Sequence, residues 1–141
     1  MSRDRFFKLR SNLYFGANIP PKNNPDRFLK VRSLLDSVRN GNLLMPRGCN
    51  IAVDEQIIPF EGQCPSKQYM PAKPDPWGIK NFVIEAPDGL MLDFLLYAGS
   101  KSIDEALSKV YGVGGAVVKT LLTSFHNLPY LHVFMIGIIH Q

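Results

Sequence analysis

The sequence predicts an α/β fold: a mixed sheet of about four strands plus a helix, preceded by a small N-terminal helical segment. Three observations carry this reading. Apolar residues recur at helical spacing as far as Val38, the pattern turns extended and β-branched after Asn50, and Pro87-Asp88-Gly89 punctuates two extended runs.

Residues 2 to about 14 read as a helix with Ser2 as N-cap and Phe6, Leu9 and Leu13 on one face. The loop Gly16 to Asn24 ends it. Asn24-Pro25-Asp26 starts a second helix, with a capping Asn, Pro at the first helical position and an acid at the positive end of the dipole. Its stripe of Phe28, Val31, Leu34, Leu35 and Val38 runs to a stop at Asn40-Gly41. Both stripes are expected in the core, since a helix pair has nothing else with which to bury them.

Strands follow near 50–58, 77–85 and 90–97, the last two forming a hairpin. Ser102-Ile103-Asp104-Glu105 is a capping-box pattern that opens a short helical turn, and Ala116 to Leu122 reads as a helix despite its valines. Tyr130 to Met135 returns as a strand, whose open edge continues into the apolar Ile136, Ile138 and Ile139.

At 141 residues, with 45% hydrophobic and 11% aromatic content, the chain is one globular domain in size rather than a disordered one. No apolar run is long enough to cross a bilayer, and the charged, aromatic N-terminus lacks a secretory signal, so an intracellular location is expected. Cys49 and Cys64 have no CxxC or His partner at zinc spacing and read as reduced structural thiols. Charge is uneven: residues 1–48 carry ten Lys or Arg against three acids, a net +7, whereas 49–141 carry six Lys against nine acids, a net −3. A basic front of this kind is either a solvated helix surface or an electrostatic footprint for nucleic acid.

Gly112-Val113-Gly114-Gly115 before Lys119-Thr120 does not satisfy GxxxxGK[ST], which excludes a nucleotide-binding loop. The glycines are expected to free the backbone ahead of the helix. His126, His132 and His140 are dispersed, and a core-facing His132 reads as structural. Tyr69 and Trp77, flanking Lys73, either stack on a base or pack beneath the sheet, and packing is the expected outcome.

The candidate chemistry centres on Asp54. Ile51 and Val53 share one side of an extended segment, and Asp54 points to the other as the strand runs toward Pro59 and Phe60. A carboxylate so placed can hold a metal ion.

Val53-Asp54-Glu55-Gln56, Pro59-Phe60-Glu61-Gly62, Tyr69-Met70-Pro71-Ala72-Lys73-Pro74 and Trp77-Gly78-Ile79-Lys80 together resemble the start of the piggyBac transposase catalytic domain. Met1 to Phe6, Leu92-Asp93-Phe94, Tyr97-Ala98-Gly99 and Val133-Phe134-Met135 extend the likeness in family order. The resemblance implies a cut-and-paste DNA transposase with an RNase H-like core, in which three aspartates hold Mg²⁺ or Mn²⁺ for strand cleavage and joining. Three strands, a helix and a fourth strand then match the first half of such a core. It also implies a division into an N-terminal helical segment (1–44), half a catalytic domain (45–135) and a divergent tail (136–141).

Asp54 corresponds to the first aspartate. The second should directly follow Met135, where this chain has Ile136, and the third belongs to a region beyond Gln141. Two-metal phosphoryl chemistry needs carboxylates from several elements around ions roughly 3.5–4 Å apart. A lone Asp54 is expected to bind metal weakly, as a vestigial catalytic residue of an inactive, truncated protein. Neither Glu85, beside the turn, nor Asp93, in mid-strand, is placed to substitute at the end of the fourth strand. Asp75-Pro76 departs from the family's polar residue and lysine.

The DNA contacts implied are Arg3, Arg5, Lys8, Arg27, Lys30, Lys73 and Lys80, and Arg32 and Arg39 are candidates alongside Arg27 and Lys30. The expected partners are DNA, bound weakly, and a full-length relative or a second copy, with no membrane and no nucleotide. Nuclear location follows from the resemblance alone. The alternative function is a non-enzymatic module, domesticated from a transposase, that binds DNA or pairs with a protein.

Overall fold

The structure is a computed structural model describing residues 1–13, 15, 26–71, 73–99, 102–125 and 130–136. It divides into two compact units, Met1–Asn40 and Gly41–Gln141.

In the first unit, helix α1 (Arg3–Asn12) is capped by Ser2, whose hydroxyl accepts from the Arg5 amide at 3.4 Å. Asp4 in the first turn and Arg10 in the last complement the helix dipole. Local propensity therefore accounts for this helix, but core burial does not. No α1 residue is buried, and Phe6, Leu9 and Leu13 are exposed, contrary to expectation. Arg3, Arg5, Lys8 and Arg10 are interleaved with the apolar residues of α1, which leaves the helix only weakly amphipathic. Phe7 is instead flanked by the guanidinium groups of Arg3 and Arg10, 5.5 and 4.9 Å from its ring centroid.

The Asn24-Pro25 start and the loop before it lie outside the described residues; Phe28 is the N-cap, without a side-chain cap bond, and Asp26 closes the turn ahead of it. One carboxylate oxygen accepts from the Phe28 amide at 2.9 Å, and both oxygens receive the Arg32 guanidinium at 2.7 Å. A 3-10 turn (Leu29–Val31) leads into α2 (Arg32–Leu43), which continues past the expected Asn40-Gly41 stop. A glycine within a helix costs only about 1 kcal/mol relative to alanine. From the predicted stripe, Phe28 is buried, whereas Leu34 and Val38 are exposed.

The Arg32 guanidinium beside Asp26 holds its carboxyl below the usual carboxylate range. Because the folded value is the lower one, the stabilisation is complete above the ordinary carboxylate pKa and disappears as pH falls through the depressed value. Both side chains are partly solvated, so the pair contributes less than about 1 kcal/mol. An acid titration of helical circular dichroism is expected to show a small transition below the usual carboxylate range. Asp26→Asn should remove it.

Among the described residues, the second unit is built on a five-stranded mixed sheet: β1 (Asn50–Pro59), β2 (Lys67–Tyr69), β3 (Trp77–Glu85), β4 (Met91–Leu96) and β5 (His132–Met135). β3 pairs antiparallel with β1, from Ala52 opposite Glu85 to Pro59 opposite Gly78. On its other side, β3 pairs with β2 at its start and with β4 toward its end. β5 lies parallel to β1. The predicted hairpin is β3–β4, while the three residues of β2 are too few to show a strand period.

A parallel return needs a crossover, and α3 (Glu105–Leu122) lies in that connection. Asp104, not Ser102, caps it, accepting from the Ala106 and Leu107 amides at 2.7 and 3.3 Å. Ser102 closes the preceding turn by donating to the Gly99 carbonyl. The helix is longer than the predicted 116–122 segment because it absorbs the glycines, with a kink at Gly112, where φ is +69°. Ala116, Val117, Leu121 and Phe125 join Ile51, Val53, Phe82, Ile84 and Leu92 from the sheet in one core. Strand alternation thus turns Val53 inward and leaves Asp54 on the other face.

A bulge opposite Ile84 and Glu85 leaves Leu92 outside the β3–β4 register. Arg47 occupies the resulting gap in the ladder. It donates to the Leu92 carbonyl at 3.1 Å and to the Ser124 carbonyl and hydroxyl at 3.2 and 3.0 Å, with its guanidinium 4.3 Å from the Phe125 centroid. One side chain from the basic front therefore ties the turn after α3 to the sheet.

Candidate metal and nucleic-acid site

Asp54 is half-buried on β1, opposite Val83 of β3. Its Oδ1 accepts from the amide of Glu55 at 2.6 Å, which fixes the carboxylate close to its own backbone. It lines a cleft of about 330 Å³ with Gln56, Lys73, Asp75 and Glu85, among others. Glu85 shares Asp54's side of the sheet because their positions are separated by an even step in the β1–β3 register. The sequence placed Glu85 only beside a turn; that it enters the Asp54 cleft depends on register across strands.

On the opposite flank of β1, Val53 stands beside Met135, and the Ile136 amide donates to the Val53 carbonyl at 2.9 Å. Position 136 therefore comes beside Asp54. An isoleucine there offers no ligand atom. Glu85 cannot stand in at that position, since it lies across β1 on the β3 side, and Asp93 is fully buried one strand farther out.

Glu55 is committed elsewhere. Its carboxylate lies 3.0 Å from the Lys80 ammonium, and its carbonyl accepts from Lys73 Nζ at 3.0 Å. Among the described residues, no group of three or more His, Cys, Asp or Glu is arranged to hold a metal ion. The donor set does not fit a two-metal centre: Asp54 can offer carboxylate oxygen to one hydrated cation, without the converging carboxylates that metal-assisted strand cleavage demands.

The predicted DNA contacts separate into three environments. Arg3, Arg5 and Lys8 on α1, and Arg27, Lys30 and Arg39 in the following segment, are exposed. Arg32 is bound to Asp26, and Lys73 is half-buried against the Glu55 carbonyl. Lys80 is only 5% exposed, so its burial with Glu55 corrects the expectation that it meets phosphate in this structure.

Other expectations also change. Tyr69 and Trp77 do not pack beneath the sheet: they are 54% and 53% exposed and lie against one another as a tilted pair with centroids 4.8 Å apart. His132 is exposed rather than core-facing, with Nδ1 3.1 Å from Asn50 Oδ1. His126 and His140 lie outside the described residues. Cys49 and Cys64 are both half-buried and not joined to one another.

A family profile described as Transposase IS4 matches residues 1–136. Human PiggyBac transposable element-derived protein 3 is 30% identical over 140 residues, covering 95% of this chain and 23% of that protein. The human Chimeric ERCC6-PGBD3 protein has the same identity over 95% of this chain and 13% of its own length. The chain thus spans less than a quarter of each of these relatives. Among solved structures, the cryo-EM structure of a piggyBac transposase synaptic complex with hairpin DNA superposes with a TM-score of 0.73 at 23% identity, over 96% of this chain and 33% of that one. That likeness establishes the same fold, while the profile establishes descent: the chain belongs to the piggyBac/IS4 transposase family.

Proposed function

We propose that this chain is a DNA-binding derivative of a transposase core, RNase H-like in ancestry, that retains Asp54 as a vestigial metal carboxylate without cleaving or joining DNA. The carrying observation is Ile136, seated beside Asp54 where the family resemblance calls for the second carboxylate. Family membership and the exposed basic residues Arg3, Arg5, Lys8, Arg27 and Lys30 support the binding half of the proposal. Phosphate neutralisation by such residues is sequence-independent and falls steeply with salt. Nuclear location accords with this role.

The expected result is duplex binding that weakens as salt rises, with no nicking in Mg²⁺ or Mn²⁺ by either the native chain or Asp54→Ala. Cleavage that Asp54→Ala abolishes would overturn the inactive assignment. Loss of salt-dependent binding would overturn the DNA assignment. A second reading, pairing with a relative or another copy, is favoured by exposed Phe134, Met135 and Ile136 along edge strand β5.

A further inference from the structure

We propose that Tyr69 and Trp77, with Lys67, form a stacking platform for an unpaired nucleobase of a DNA strand. The inference rests on the DNA-binding reading above and names the form of DNA that this surface receives.

Tyr69 and Trp77 are a direct cross-strand pair of β2 and β3, with their rings inclined by 46°. A fold normally turns such large apolar bodies inward, yet here about half of each surface faces solvent. Their backbone is tightly held. The Met70 amide donates to the Pro76 carbonyl at 2.7 Å, and the Phe60 amide to the Trp77 carbonyl at 3.3 Å. At Gly78, a Cβ would come within 2.4 Å of the Ile58 carbonyl oxygen, so β3 runs close against β1 directly after Trp77. Met70, beside Tyr69, is buried and anchors the other side. The rings are therefore presented on a fixed sheet edge rather than on a loose loop.

The Lys67 ammonium lies 5.3 Å from the Trp77 centroid. A base stacked on these rings would carry its phosphate within reach of that cation, combining the π-face and positive charge used in single-strand recognition. Duplex bases have their faces occupied by neighbouring bases, so the complementary occupant is unpaired or extruded.

Trp77 is the chain's single tryptophan, so its fluorescence reports this surface directly. The full chain would be titrated with single-stranded oligothymidine, an abasic strand of equal length and charge, and a duplex. Oligothymidine is expected to quench Trp77 and bind more tightly than the abasic strand. Tyr69→Ala should weaken oligothymidine binding about 5- to 100-fold while leaving duplex binding within about twofold. Trp77→Ala should do the same when binding is followed by a labelled strand, and circular dichroism would verify that both variants remain folded. Equal affinity for abasic and base-bearing strands, or native affinity in both alanine variants, would overturn the platform while retained duplex binding leaves the DNA reading standing. Failure of every DNA to bind would overturn both.

Discussion

Glu55→Ala is expected to destabilise the second unit by about 3–5 kcal/mol, the cost of stranding a buried charge. Lys80 and Glu55 face one another at 3.0 Å, with side-chain exposures of 6% and 11%. They occupy the core side of the sheet, where Lys80 also lies 5.5 Å from the Phe82 centroid. Removing the carboxylate leaves an ammonium among apolar groups without its counter-ion. Denaturant unfolding should show the loss as a lower midpoint. Replacing both residues with apolar side chains of similar volume should recover much of the loss, because it removes the desolvation cost together with the attraction. A Glu55→Ala midpoint indistinguishable from native would refute the buried-pair assignment.

Arg47→Ala is expected to cost about 1.5–3 kcal/mol, the range for hydrogen bonds to a charged group whose loss leaves acceptors unsatisfied. Its guanidinium serves the Leu92 carbonyl at the bulge and both oxygens of Ser124 beyond α3, and rests against Phe125. Arg47→Lys should rescue only part of the loss, because a point-like ammonium cannot reproduce the planar fork or its stacking. Hydrogen exchange should locate the damage in the turn after α3 and in β4. If weakened DNA binding were instead the only change, Arg47 would be an exterior phosphate contact rather than an internal tie.

Arg47 and Lys80 show where reading charge from sequence fails. Both belong to categories that favour phosphate, and one of them was a named DNA contact. A linear sequence counts their charges but does not reveal the bulge carbonyl or the Glu55 carboxylate waiting for them. Tyr69 and Trp77 err in the opposite direction: their residue types argue for burial, whereas the β2–β3 pairing turns them outward. The buried positions Ile51 and Val53, by contrast, were legible because alternation alone separates them from Asp54.

By itself the sequence determined the local, periodic features: α1 with its Ser2 cap, the extended segments that become β1, β3, β4 and β5, the β3–β4 turn, and the motifs that mark the family. Caps, turns and alternation act over a few residues, so they can be read in order along the chain. Only tertiary structure decided that β5 returns parallel to β1, that Ile136 stands beside Asp54 and that Glu85 enters the same cleft. These are relations of register between segments up to tens of residues apart. A single-residue shift in register would reverse which side chains meet, and no local propensity specifies that choice.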